Sequence, residues 1–487
     1  MTSNTHVLKT VIKNKAIHYV FSRYATYGIQ FVNSLFIAAY LGPYYLGVWG
    51  FINLILQYLA QINFGISPSV NAIIAIHKDK EWYVQKVIGT AITMLFALSL
   101  IVVLFFVTID CVGLNIGSKY NFSIYAPLVV ITGILSHFNT LFANIFRVYG
   151  KVIEIAINQS SLPVLTLIVI LVFRGENLIW ALVGINLLSA VISLLIYILR
   201  RPVSFKPALI SRLTKEIQVK GWHLFVYNTS FHFIIISTRS FVSLSYSIEE
   251  FGYFTFAFTL ANVALLLLES ISFLVYPKLL NRLSSGSNKS TIKLLDQVRD
   301  TYIVTSHFLI HIAILLFPVF LLFFPQYSQS VKAFSLIALT IVLYTNSFGY
   351  SGLLISKNKE KELGYLALFS LGVNIVLAYT LSSIICVPFV YVIISTMTSY
   401  FIYVFLLSRK SRKLVNLDSS FFKVLKDVFP ANLMLPYFTS IIFVFMALPE
   451  WLFVMPVILF VSLNYRSFIN IKLTVKNIIL NAKYIDI

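Results

Sequence analysis

Apolar runs of about twenty residues, each long enough to cross a bilayer as a helix, follow one another from residue 16 to residue 467. They place spans at 17–41, 48–76, 84–109, 122–148, 152–173 and 178–199, then at 221–244, 252–277, 300–324, 329–356, 363–383 and 386–408. A last pair falls at 428–447 and 450–467. Pro68, Pro127, Pro163, Pro318 and Pro388 lie inside these windows. In membrane helices proline marks kinks more often than ends, because neighbouring groups satisfy the freed carbonyl. The pattern predicts an all-α polytopic membrane protein with about fourteen transmembrane helices.

Composition removes the soluble alternatives. Of 487 residues, 59% are hydrophobic and only 11% are charged, with a mean hydropathy of +0.88. Such a chain cannot cover a water-facing surface, so lipid must be its solvent. The first apolar stretch follows Lys9, Lys13 and Lys15 and is long enough to span, so it is expected to stay as a helix.

The net charge of +20 would point to nucleic acid in a soluble chain. Here the basic residues sit in short loops, and no nucleic-acid partner is expected. With the N-terminus in the cytoplasm and strict alternation, 33 of the 37 lysines and arginines fall at cytoplasmic ends and loops. Only Lys119, Arg174 and Lys332 fall outside, and Arg239 is left within a span. This asymmetry supports the even span count and puts both termini in the cytoplasm. The outer loops are short, which leaves no room for the active site of a membrane glycosyl polymerase or ligase.

An internal repeat is visible in position. Residues 42–51 read GPYYLGVWGF and residues 247–256 read SIEEFGYFTF, which aligns Gly47 with Gly252. Basic inner turns at Arg147–Lys151 and Lys357–Lys361 follow the fourth and tenth spans. Two pseudo-symmetric six-helix lobes follow, at 1–199 and 221–408. A cytoplasmic linker at 200–220 joins them, and a second at 409–427 leads to a helix pair and tail at 428–487. Transporters built from parallel repeats hold substrate between the halves.

Polar residues within spans are the candidate site, because charge in hydrocarbon is costly and needs a function or a partner. Arg23 lies near the cytoplasmic end of the first span and Arg239 in the outer half of the seventh, at equivalent places in the repeat. Either arginine can meet a phosphate or snorkel to headgroups. Glu269 is the one acid well inside a span and is the candidate ion-coupling group. Asn33, Asn228 and His232 belong to a concentration of polar side chains on the first, second, seventh and eighth spans, suited to sugar hydroxyls. His307 and His311 have the i,i+4 spacing of metal ligands but lack a third, so no metal is expected. Cys111 and Cys386 read as apolar fillers. No nucleotide-binding loop, nucleophile elbow or dinucleotide fingerprint occurs, so neither enzyme chemistry nor a cofactor is expected.

The stretch Leu41-Gly-Pro-Tyr-Tyr-Leu-Gly47, with the aromatic-rich helix that ends near Gly65, resembles the opening of the polysaccharide exporters. These are the O-antigen and teichoic-type flippases of the multidrug/oligosaccharidyl-lipid/polysaccharide (MOP) superfamily. The resemblance extends over the whole chain as an architecture and rests on residues 41–65 as a motif. It implies a two-lobe, alternating-access transporter in the bacterial inner membrane, with the last helix pair at the periphery. Its cargo would be an undecaprenyl-diphosphate-linked oligosaccharide, gripped by Arg23, Arg147 and Arg239 while the tail stays among membrane lipids. A polysaccharide polymerase and a chain-length regulator are the partners it implies. Ion-coupled drug efflux on the same fold and a non-transporting scaffold are the rival readings.

Overall fold

The computed structural model describes residues 15–263 and 288–480, with side chains at 24–263, at Asp296 and at 299–468. No strand occurs among them. The helices are α1 (Lys15–Gln61), α2 (Ile66–His77), α3 (Glu81–Cys111), α4 (Ala126–Val148), α5 (Val152–Val172), α6 (Gly175–Leu199), α7 (Ser211–Ser245) and α8 (248–263). There follow α9 (Asn288–Leu321), α10 (Val331–Thr345), α11 (Tyr350–Ser356), α12 (Glu360–Tyr379), α13 (Ile394–Leu414), α14 (Phe421–Val428), α15 (Ala431–Phe445) and α16 (Val454–Leu480).

Among the described residues ten helices are long and apolar enough to cross a membrane, or eleven if α14 and α15 form one broken span. The fourteen expected segments differ from these for identifiable reasons. The segments 17–41 and 48–76 count as one only because α1 comprises two helices that meet at a non-helical break at Gly42 (φ 66°, ψ 176°), just before Pro43. The seventh, α7, is helical but falls short in apolarity, since Lys215, Glu216, Lys220 and Arg239 share it with many serines and threonines. The eighth, α8, is described only as far as residue 263. Two expected spans are also interrupted: 48–76 at residues 62–65 and 329–356 at residues 346–349.

By its internal contacts the chain divides into two compact units. The first holds the described residues up to Thr229 together with Tyr246–Thr255. The second holds Ser230–Ser245 and the described residues from Phe256 onward.

In the first unit α2, α3 and α4 bury Val70, Ile73, Val87, Leu95, Leu141 and Phe146 in one core. The linker joins this core rather than hanging free. Residues 201–210 run extended along α3, where the Ala208 amide donates to the Gly89 carbonyl at 3.4 Å. Helix α7 then starts at Ser211, ten residues before the apolar run, because Leu213 and Ile217 are at helical spacing and pack into the core. Ser69 Oγ donates to the Ile217 carbonyl at 2.6 Å, fixing α2 to this first part of α7.

On the polar side of the same turn Glu216 accepts from Tyr83 Oη at 2.9 Å and from Lys220 Nζ at 2.8 Å. The Lys220 hydrogen bond, aided by that of Tyr83, holds the Glu216 carboxyl below its usual range. A depressed carboxyl adds stability that is present above the ordinary value of about 4.3 and lost as pH falls through the folded value. Thermal unfolding in detergent is therefore expected to weaken below about pH 4, by no more than about 1 kcal/mol for so exposed a pair. In Glu216→Gln this part of the pH dependence should vanish; an unchanged profile would discard the assignment.

In the second unit α10 is the central helix: 78% of the apolar window in Pro325–Ser356 is buried. The window in Glu450–Phe468, the apolar part of α16, is only 22% buried, so α16 lies at the edge, against α9 and α15. Cys111 and Cys386 are both exposed free thiols, not the packed fillers expected, because each sits where a helix gives way to a turn.

Candidate functional site

The repeat seen in sequence closes on itself in the first unit. A Cβ placed on Gly47 would sit 2.1 Å from the Ile248 carbonyl oxygen, and one on Gly252 would sit 1.9 Å from the Pro43 carbonyl oxygen. Adding 205 turns Gly47 into Gly252 and Pro43 into Ile248, so each turn contacts its own equivalent reciprocally. Such an isologous contact is the signature of a local two-fold. Only glycine permits backbones to approach so closely in a membrane protein. Phe51 and Phe256, related by the same offset, each stack on a tyrosine: Phe51 on Tyr120 with ring centroids 4.3 Å apart, and Phe256 on Tyr327, two positions past the equivalent of Tyr120, at 4.0 Å. Each tyrosine comes from a 3₁₀ turn after a helix end.

Helix α7 carries three of the seven expected site residues. Asn228 and His232 are both exposed and lie one turn apart on one face. Arg239 is 2% exposed, and its guanidinium carbon lies 4.5 Å from the centroid of Phe258 on α8. This cation–π contact lies within the second unit and delocalises positive charge against an aromatic face instead of a headgroup. Burial to this degree is not the geometry of a side chain snorkelling to the surface.

The residue before Arg239 is held by a polar knot that sequence reasoning missed. Thr238 Oγ1 is 2.7 Å from Thr396 Oγ1, 3.1 Å from Ser395 Oγ and 3.3 Å from Asn374 Oδ1. Asn374 Nδ2 donates to the Ile234 carbonyl at 2.6 Å and to Ser237 Oγ at 2.8 Å. Helices α7, α12 and α13 are thus pinned together at the level of Arg239. A signal existed: Asn374, Ser395 and Thr396 interrupt otherwise apolar runs, and in hydrocarbon such groups need partners.

The other expected residues fall elsewhere. Asn33, equivalent to Thr238 under the same offset, is buried and donates to the Pro163 carbonyl at 2.7 Å, joining α1 to α5. Its donor is therefore engaged in helix packing, while Oδ1 has no hydrogen-bond partner among the described residues. Arg147 is exposed in the last turn of α4, where a cation complements the helix C-terminus. Glu269 and the side chain of Arg23 lie outside the described residues. His307 Nε2 is 2.9 Å from Asn346 Oδ1 and His311 Nδ1 is 3.2 Å from Ser440 Oγ, so the two rings serve separate contacts. Asn346 donates its amide to the Val428 carbonyl, which makes His307 Nε2 the donor in its own bond.

A second cluster was hidden among residues counted as loop charges. Arg299, 4% exposed, forks onto Asp427 with N–O distances of 3.0 and 3.1 Å and donates to the Asp427 carbonyl at 2.6 Å. Tyr350 Oη donates to Asp427 at 2.6 Å, Arg299 reaches Tyr350 Oη, and Arg412 adds an ion pair at 3.1 Å. This network joins α9, α11, α13 and α14.

The profile of the family described as polysaccharide biosynthesis protein matches residues 12–281, more than half of the chain. The chain belongs to this family. The described parts of α1 through α8 fall within the matched stretch, as do both glycine turns and Arg239. Among solved structures, the chain is similar to an inward-facing multidrug resistance MATE transporter of the MOP superfamily (TM-score 0.68, 13% identity, 83% of this chain and 98% of that one). The outward-facing form of a MATE family transporter gives a TM-score of 0.59 at 13% identity, over 82% and 94% of the two chains. A MOP superfamily transporter from Pyrococcus furiosus, whose printed description is a binding pocket of reverse polarity, gives 0.58 at 12% identity, over 82% and 95%. No curated protein matches. Family and fold together make the chain a multi-pass membrane protein of the polysaccharide biosynthesis family with the fold that MATE transporters have.

Proposed function

We propose that this transporter flips an undecaprenyl-diphosphate-linked oligosaccharide from the inner to the outer leaflet of the bacterial cytoplasmic membrane, for surface polysaccharide assembly. The observation that carries this reading is the family match over 12–281, whose printed description is polysaccharide biosynthesis. The chemistry of α7 supports it. Arg239 keeps its charge at any working pH, and a guanidinium that the transport cycle uncovers is suited to phosphate. Asn228 and His232, exposed on the same helix, present groups that exchange hydrogen bonds with sugar hydroxyls. On this reading the headgroup crosses by alternating access while its tail stays in lipid. Glu269 is the proposed site of ion coupling, Arg23 and Arg147 assist at the inner side, and a polymerase with a chain-length regulator consumes the flipped unit.

The test is deletion of the gene followed by rescue. Surface glycan is expected to disappear, with its lipid-linked precursor held inside, and to return with the wild-type chain. Arg239→Ala should insert normally yet lower surface glycan by a factor of roughly 10 to 100, the worth of a charge-assisted contact of about 1.5–3 kcal/mol. Arg239→Lys should restore part of it. If deletion leaves the glycan intact and instead raises sensitivity to cationic drugs, the cargo assignment is wrong and small-molecule efflux takes its place.

A further inference from the structure

Helix α14 has eight residues and bends by 72° from α15, the apolar helix that follows it. At roughly 100° per residue its side chains sort into three arcs. Val424 and Val428 are buried against the protein. Beside them stand Phe421 at 56% exposure, Leu425 at 38% and Phe422 at 80%. Next around the helix come Lys426 and Lys423, both exposed, and then Asp427, which the Arg299, Tyr350 and Arg412 network consumes. The order is protein, hydrocarbon, cation, then a tether back to protein.

The surroundings are basic. Arg409 and Lys413 at the end of α13 are exposed, and among the described residues neither they nor Lys423 and Lys426 enter an ion pair. Water cannot be the partner of three adjacent apolar side chains on so short a helix without a large cost. A purely apolar neighbour would not suit the two lysines beside them.

We infer that α14 lies in the plane of the membrane on the basic face of the protein, with Phe421, Phe422 and Leu425 dipped among acyl chains and Lys423 and Lys426 on anionic headgroups. An amphipathic helix with a lysine border and a bulky apolar face binds an interface in this way. The bend of 72° gives α14 the orientation this requires while α15 enters the bilayer. The Asp427 tether makes the helix a rigid foot of the second unit, so anionic lipid bound here acts on α9 and α13 directly. The inference does not depend on which cargo is carried.

The full chain, with Cys111 and Cys386 replaced by serine, is reconstituted with a single nitroxide label at position 422, 425, 423 or 426. Labels at 422 and 425 should be relaxed more by oxygen than by a water-soluble nickel complex, and labels at 423 and 426 the reverse. Preference for nickel at all four positions would overturn the inference in favour of a water-facing helix. Shielding from both reagents at 422 and 425 would overturn it in favour of a protein cover. Native mass spectrometry then compares bound phosphatidylglycerol with phosphatidylcholine. The Lys423→Gln/Lys426→Gln chain should lose anionic selectivity by about five-fold per lysine. Unchanged selectivity would remove the anionic part of the inference. Displacement of the lipid by excess inorganic phosphate would show a free-anion site instead and overturn it equally.

Discussion

Asp427→Ala is expected to cost about 3–5 kcal/mol, because it strips the buried Arg299 and its neighbour Arg412 of the carboxylate they share and leaves only Asp296 and Asp300, neither of them ion-paired with it, to offset Arg299. Three interactions go at once: the fork from Arg299, the hydroxyl bond from Tyr350 and the ion pair from Arg412. Arg299 has nowhere to turn, being 4% exposed. A buried pair is not in itself a source of stability, since each ion has given up its hydration. The decisive comparison is therefore the paired replacement. Arg299→Met with Asp427→Leu removes both buried charges and should recover most of the loss, as apolar replacements of buried pairs commonly do. Thermal unfolding of the chain in detergent measures both. If Asp427→Ala melts like the wild type, the network is ornamental and α14 is not tethered by it. A lipid-accessibility change at position 422 in Asp427→Ala would show separately that the tether sets the pose of the helix.

Gly252→Ala should destabilise by roughly 1–3 kcal/mol or more, the range for forcing atoms into a filled interface. Its new methyl would sit 1.9 Å from the Pro43 carbonyl oxygen and 2.8 Å from that carbonyl carbon, and backbone cannot swing aside like a side-chain tip. Gly47→Ala meets Ile248 in the same manner at 2.1 Å. Because both substitutions push apart one contact, their effects should not add: the double variant should lose clearly less than the sum. Gly184→Ala and Gly372→Ala are the controls. Both lie within helices, and nothing stands within 4 Å of either added carbon. There alanine should be neutral or stabilise by about 0.5–1 kcal/mol, through helix propensity alone. If all four behave alike, the reciprocal contact of the two turns is not real. Any conformation in which the turns stand apart is favoured by Gly252→Ala, so a transport cycle that needs their separation should shift toward it.

Much of the architecture was legible because lipid imposes one-dimensional rules. Apolar length sets the spans, and small residues mark where helices can approach. These rules faltered where the chain departs from uniform hydrocarbon. Helix α7 is polar enough to fall short of a membrane span on apolarity, and it is the helix that bears Asn228, His232 and Arg239. The alignment of Gly47 with Gly252 marked equivalent positions, yet it could not reveal that the two face each other.

The sequence by itself determined that this protein is a many-helix membrane protein built on a repeat, because segment length and glycine placement are properties read along the chain. Only the tertiary structure decided what the individual polar groups do. Asn33 and Thr238, alike in sequence position, turned out to fasten helices through Pro163 and Asn374. Arg299, counted among loop charges, became the buried centre of a network with Asp427, 128 residues away. Arg239 found Phe258 across a tight turn. A polar side chain in a membrane must find a partner, and the linear chain states only that demand; which of many distant groups meets it depends on how the helices cross.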